Sequence, residues 1–195
     1  MHPYATNSPA NPKLFAFLAI AAVASSGAAS YLAKRADLGW TVGAPSAMAF
    51  FAFFYWIFDQ HLWKWNWLRH LLLIPDLNGT WICAGRTTIK NGEDVEILWD
   101  AEIRIQQSWS KIKVVLKTSR STSESDAASL YRSAARGFRL VYHYHNCPDK
   151  TEPALHQHFG LADLMFSDDR QIASGSYFTG KDRLTVGEMT LTRKV

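Results

Sequence analysis

Two histidine pairs are the first residues of this chain whose types and spacing could do chemistry. His143-x-His145 and His156-x-His158 each put two imidazoles on one face of an extended strand. If the two strands pair, four imidazoles could converge, and zinc favours nitrogen ligands of this kind, often in fours. However, Phe138, Leu140, Tyr142 and Tyr144 alternate with Arg139, Val141, His143 and His145, so the first pair points away from the apolar face. No nearby glutamate offers a general base, although Asp163 could orient a ligand. The histidines therefore read as solvent-facing, with a His-ligated metalloenzyme as the weaker alternative. No nucleophile elbow, P-loop or dinucleotide-binding fingerprint occurs, so no catalytic residue, metal or cofactor is expected. Tyr142 and Tyr144 share the apolar face. They read as core or rim residues whose hydroxyls need partners, or as ligand contacts. Arg86, Thr88 and Gln107 are weaker candidates for ligand contact.

The elements that hold these residues are short and alternating. Residues 81–90 form a first strand, and Asn91-Gly92 is a strong hairpin turn signal. Residues 95–106, 111–118 and 138–145 alternate apolar and polar, as a sheet buried on one face does. Further strands follow over 156–166, 171–179 and 185–194, and the Ser-rich stretch 119–129 reads as a surface loop or a flap over a site. Residues 127–135 are the only candidate for a helix in this half. About eight strands joined by short turns close most readily into a small antiparallel β-barrel, with a filled core or one small-ligand cavity. Its boundaries are residues 77–195.

The first part of the chain reads as membrane. Residues 14–33 and 39–58 are uncharged runs, each just long enough to cross a hydrocarbon core of about 30 Å. The short connection between them, with Lys34 and Arg35, makes a helical hairpin with both ends on one side. A cleaved signal peptide is the competing reading of the first run, through Ala28-Ala29-Ser30. Ala22, Ser26 and Ala29 or Ser30 form a small-residue stripe that packs either on the second span or on another chain. A tail over 1–13 precedes the spans. A linker over 59–76, where Trp63, Trp65 and Trp67 mix with Lys64, Arg69 and His70, suits the headgroup layer.

Charge narrows the choice of partner. The net charge is +4, and it is spread out: residues 1–78 carry five Lys/Arg against three Asp/Glu, and 79–195 carry sixteen against fourteen. That excludes the basic stripe of a protein holding bulk DNA or RNA, but leaves room for a small anion held by a few arginines. Lys13, Lys64 and Arg69 against Lys34 and Arg35 lean toward cytosolic termini. Cys83 and Cys147 are too few for a disulfide scaffold and read as free thiols in a reducing compartment, the alternative being one bridge in a periplasmic domain.

Two spans joined to Leu77-Asn78-Gly79-Thr80-Trp81, with a tail of Gly175-Ser176-Tyr177-Phe178-Thr179-Gly180-Lys181-Asp182-Arg183 and Gly187-Glu188-Met189-Thr190-Leu191, resemble the two-transmembrane, β-strand-rich effectors of bacterial CBASS antiphage defence. The resemblance covers nearly the whole chain. It implies that the barrel binds a cyclic oligonucleotide, in the first instance a cyclic dinucleotide, made by a partner CD-NTase without implied direct contact. Binding then promotes homo-oligomerisation in the lipid bilayer, disruption of the inner membrane and death of the infected cell. With such a ligand, Tyr177, Thr179 and Arg183 are the leading contacts, with Gly175 leaving room beside the tyrosine: an aromatic face for a base, a hydroxyl for a base edge and a cation for phosphate. Gly79-Thr80-Trp81 is also similar to the Gly-x-Trp start of lipocalins, where the Trp packs across the closed end against a late Arg, a place Arg193 could fill. This second resemblance implies a membrane-tethered binder of a small hydrophobic molecule.

Overall fold

The computed structural model describes residues 1–7, 11–36, 45–65, 67–68, 72–90, 94–133, 137–148, 157–180 and 185–194. The chain divides into a helical unit, Ser8–Leu72, and a second unit formed by Met1–Asn7 together with Leu73–Val195.

In the helical unit, α1 runs over Asn11–Arg35 and α2 over Ala47–Gln60. From Leu14 onward α1 carries no charge until Lys34 and Arg35, and it is long and apolar enough to cross a membrane. The two helices pack antiparallel: Phe15 stacks on Tyr55 at 5.9 Å, and Ser26 Oγ donates to Pro45 O at 3.1 Å. Ala22, 1% exposed, lies in this contact, so its part of the small-residue stripe serves packing within the chain. Phe17, Ile20, Val23, Phe53 and Trp56 are exposed, as lipid-facing side chains are. The second helix begins later than the apolar run suggests. Pro45 and Ser46 are non-helical, and Ser46 Oγ caps α2 by accepting from Ala49 N at 3.2 Å. Its 14 residues span roughly 21 Å at 1.5 Å per residue. One 3-10 turn, Leu62–Lys64, buries Trp63 with Lys64 Nζ 5.8 Å from its ring.

The second unit is a closed barrel of nine strands: β1 His2–Thr6, β2 Gly79–Lys90, β3 Asp94–Gln107, β4 Lys111–Lys117, β5 Ser121–Arg132, β6 Phe138–Pro148, β7 His158–Phe166, β8 Ile172–Thr179 and β9 Thr185–Arg193. From β2 to β9 it is an antiparallel meander, and β2 pairs with β9 to close the ring. Eight of these strands follow Leu77, as the alternation predicts. Two local expectations fail, and one strand lies where the sequence reading placed none. The Ser-rich stretch 119–129 is largely strand β5, because both its edges find ladder partners and backbone pairing needs no apolar side chain. For the same reason residues 127–132 are strand and not helix, while 134–136 lie outside the described residues. Finally, the N-terminal tail contains a strand.

That strand, β1, fills a gap in the wall. β4 and β5 pair near their shared turn, from Lys117↔Thr122 to Val115↔Glu124, and then separate at a bulge between Ser125 and Ala127. β1 wedges between them, antiparallel to β4 through His2↔Ile112 and Pro3↔Lys111, and parallel to β5 through Tyr4↔Ala128 to Thr6↔Leu130. Ser125, 1% exposed, stitches the junction: its Oγ accepts from Val114 N at 2.9 Å and lies 2.8 Å from His2 Nε2.

One end of the barrel is sealed. Gln107 accepts from Leu77 N at 2.9 Å and donates to Pro75 O at 3.1 Å. Asn78 pairs with the Gln107 backbone in both directions, at 2.7 and 2.9 Å. Gly79 takes φ 133°, a region that favours glycine, and turns the chain into β2. Trp81, fully buried, meets Phe166 edge-on at 5.1 Å and carries the Arg193 guanidinium 5.3 Å from its ring. Arg193 also donates to Asn78 O. The Trp–Arg closure expected at this end is therefore present.

Candidate functional site

The opposite end of the barrel encloses a cavity of about 500 Å³. Three aromatic side chains shape it, and each lies on a glycine of the neighbouring strand. Trp99 of β3 covers Gly85 of β2, Tyr144 of β6 covers Gly160 of β7, and Tyr177 of β8 covers Gly187 of β9. In every case a Cβ on the glycine would collide with the ring. The glycine lets the ring lie back against the wall, so a large aromatic surface fits without filling the lumen. The space beside Tyr177 comes from Gly187 and not from Gly175, which serves for the close approach of β8 to the Asp163 carbonyl of β7.

Polar groups punctuate these faces. Trp99 Nε1 donates to Thr87 Oγ1 at 2.8 Å, Thr87 is also hydrogen-bonded to the Tyr177 hydroxyl, and the Trp99 and Tyr177 rings meet edge-on at 5.8 Å. Tyr142 stands beside Tyr144 with ring centroids 6.3 Å apart. Burial pushes the Tyr142 phenol well above its ordinary pKa, with Tyr144 and Cys83 adding to the shift, so it stays a neutral hydroxyl facing the lumen. Thr179 also lines the cavity, but Thr185 occupies it: Oγ1 accepts from Thr185 N at 2.9 Å and pairs with its hydroxyl at 2.9 Å. At the rim, the β4–β5 turn is pinned by Thr118 Oγ1, which accepts from Arg120 N at 3.2 Å and Ser121 N at 3.0 Å. This turn sets Arg120 on the cavity lining.

Four of the eight ligand candidates, Tyr142, Tyr144, Tyr177 and Thr179, come together here, and Thr88 is not on the cavity lining. Arg183 lies outside the described residues. Two others are placed elsewhere. Arg86 is on the outer face of β2, hydrogen-bonded to Glu188 at 2.7 Å and 3.5 Å from Glu96, because the strand's alternation turns residues 82, 84 and 86 outward. Gln107 is consumed by the sealed end. Trp99, Arg120, Asn146 and His158 line the cavity and were missed. The inward alternation of Ile105, Ile103 and Ala101 continues to Trp99, and that of Tyr142 and Tyr144 continues to Asn146, so both were open to a longer reading of the same pattern.

The histidines do not converge. His143 and His145 face outward and share Asp126, at 3.4 and 2.9 Å, whereas His158 is buried on the inner side, opposite Asn146. His156 lies outside the described residues. Among the described residues no group of three or more His, Cys, Asp or Glu is placed to hold a metal. The cysteines are free, as expected, Cys83 buried and Cys147 exposed. Burial, reinforced by Asp100, pushes the Cys83 thiol up to about 12. Iodoacetamide at pH 8 is accordingly expected to alkylate Cys147 and leave Cys83 unmodified until the protein is denatured, as peptide mass analysis would read directly.

The glycine seats give a second test. Gly85→Val places a branched side chain where the Trp99 ring lies, the ring being all that a Cβ there would meet first. Ligand affinity is expected to fall by more than tenfold, with a stability loss of about 1–3 kcal/mol from overpacking. Calorimetric titration and thermal melting would separate the two effects.

Comparison with known proteins gives the following. A family model described as the Cap15 cyclic dinucleotide receptor domain matches residues 72–193, and one described as the Cap15 TM helices matches residues 13–64. CD-NTase-associated protein 15 of Yersinia aleksiciae is 38% identical over 136 residues, which cover 70% of this chain and 64% of that protein. The chain thus spans just under two thirds of this relative's length.

Proposed function

The chain belongs to the Cap15 family, and from that premise we propose that it is a ligand-gated membrane effector of CBASS antiphage immunity. A cyclic dinucleotide made by a partner CD-NTase enters the open end of the barrel. Trp99, Tyr144 and Tyr177 supply stacking faces for its bases, the Tyr142 hydroxyl supplies a base-edge contact, and Arg120 with Arg183 supplies charge for its phosphates. Occupancy promotes association of the helical segments in the inner membrane, the bilayer loses integrity and the infected cell dies. The barrel lies on the cytosolic side, where the nucleotide is made. The chain itself carries out no reaction.

One observation carries this reading: three aromatic faces held open by glycines around a cavity of about 500 Å³, in a domain whose family is a cyclic dinucleotide receptor. A purely apolar carrier has no use for Arg120, Asn146 and His158 in its lining.

The coupling runs through β1. It is separated from α1 by only four residues, and it sits between the two strands whose turn forms part of the cavity rim. A ligand that draws the β4–β5 turn inward changes the gap that β1 fills. It shifts the equilibrium only by its differential affinity for the two arrangements.

The direct test is calorimetric titration of the full chain in detergent with a panel of cyclic dinucleotides. Saturable binding of one member, weakened at least tenfold by Tyr177→Ala and by Arg120→Ala, is expected. A folded protein that ignores the whole panel would refute the receptor reading.

A further inference from the structure

Strand β6 turns three successive inward side chains to the cavity, Tyr142, Tyr144 and Asn146. Asn146 is 5% exposed, so little of its amide reaches bulk water. Ser123 faces it across the β5–β6 ladder and donates from Oγ to Asn146 Oδ1 at 2.8 Å. An asparagine amide has an accepting end and a donating end, and in this structure the accepting end is the one turned toward Ser123 on β5. Among the described residues nothing accepts from Nδ2. The donating end is thus left on the lumen side, at the surface of the cavity of a domain whose family model is a cyclic dinucleotide receptor.

We propose that Asn146 reads a base edge in this site and selects a nucleobase with a carbonyl at position 4 of a pyrimidine or 6 of a purine, uracil or guanine, over one with an amine at that position, cytosine or adenine. The inference rests on the receptor reading above and adds the base preference to it. Stacking on Trp99, Tyr144 and Tyr177 tolerates any base, because every base has a π-face. Discrimination must come from hydrogen bonds at the edges. A carbonyl oxygen accepts from Nδ2 and satisfies it. An amine meets it donor to donor and leaves both groups buried and unpaired, the costlier outcome. The bidentate pairing by which asparagine reads adenine uses the amide oxygen as well, and Ser123 already engages that oxygen.

The test compares cyclic dinucleotides that differ at a single base, uracil against cytosine and guanine against adenine, titrated into the full chain in detergent. The carbonyl member of the discriminated pair is expected to bind at least tenfold more tightly. Asn146→Asp turns the donor into an acceptor and should reverse the order. Ser123→Ala releases the amide to turn over and should bring the ratio toward one while binding persists, so the proposal stays testable even if the aspartate variant does not fold. Binding that keeps its base ratio unchanged in Ser123→Ala and Asn146→Asp would overturn the role of Asn146 and leave the receptor reading standing. Equal affinity for carbonyl and amine members in the unaltered protein would do the same. Failure of the unaltered protein to bind any member defeats the receptor reading, and this inference with it.

Discussion

A disulfide that locks β1 into the barrel wall is expected to silence the protein without blinding it. Pro3 and Lys111 are direct partners in the antiparallel β1–β4 pair, a placement that can accept a cross-strand disulfide. In a Cys147→Ser background, the double variant Pro3→Cys/Lys111→Cys should bind cyclic dinucleotide within about twofold of its reduced form when oxidised. Its ligand-dependent leakage from vesicles should drop at least tenfold, and dithiothreitol should restore it. β1 is a natural moving part. It holds the wall through five ladder pairs, whereas β2 and β3 share twelve, and it contains a proline that cannot donate to a ladder. Leakage that is equal before and after reduction would remove β1 from the mechanism.

The second large effect concerns the sealed end. Trp81→Ala removes a fully buried indole that contacts Phe166, carries the Arg193 guanidinium and donates from Nε1 to Leu77 O at 3.2 Å. A loss of about 3–5 kcal/mol is expected, a large share of the 5–15 kcal/mol that holds a typical domain together. Pulse proteolysis in urea would read the shift in midpoint. Trp81→Phe should lose markedly less, because the ring stack survives. Dinucleotide affinity measured at a temperature where Trp81→Ala is still folded should be unchanged, since Trp81 lies at the end away from the cavity.

Strict alternation made most of the barrel legible in advance. Phe138, Leu140, Tyr142 and Tyr144 point inward, and the Trp81–Arg193 closure follows from a Gly-x-Trp start and a late arginine. What escaped was determined by distant partners. Nothing within His2–Thr6 marks a strand, because its ladder partners lie more than a hundred residues away on β4 and β5. β5 looks like a loop because serines and alanines carry no apolar period, yet backbone pairing on both edges makes it a strand. The site was half legible. Tyr142, Tyr144, Tyr177 and Thr179 carry side chains that suit a nucleotide, and all four line the cavity. Arg86 was misleading because its charge suggests phosphate, while the alternation of β2 turns it outward to Glu188. The role of Gly85, Gly160 and Gly187 depends on register across strand pairs, which local sequence does not contain.

The central claim is that a cyclic dinucleotide in the barrel opens the membrane through the helical segment. Its most direct test is dye release from sealed vesicles carrying the full chain, measured on adding the cyclic dinucleotide that the protein binds. The account predicts saturable release whose concentration dependence follows binding, and which is lost in Tyr177→Ala. Vesicles that stay sealed while the barrel is demonstrably saturated would contradict it.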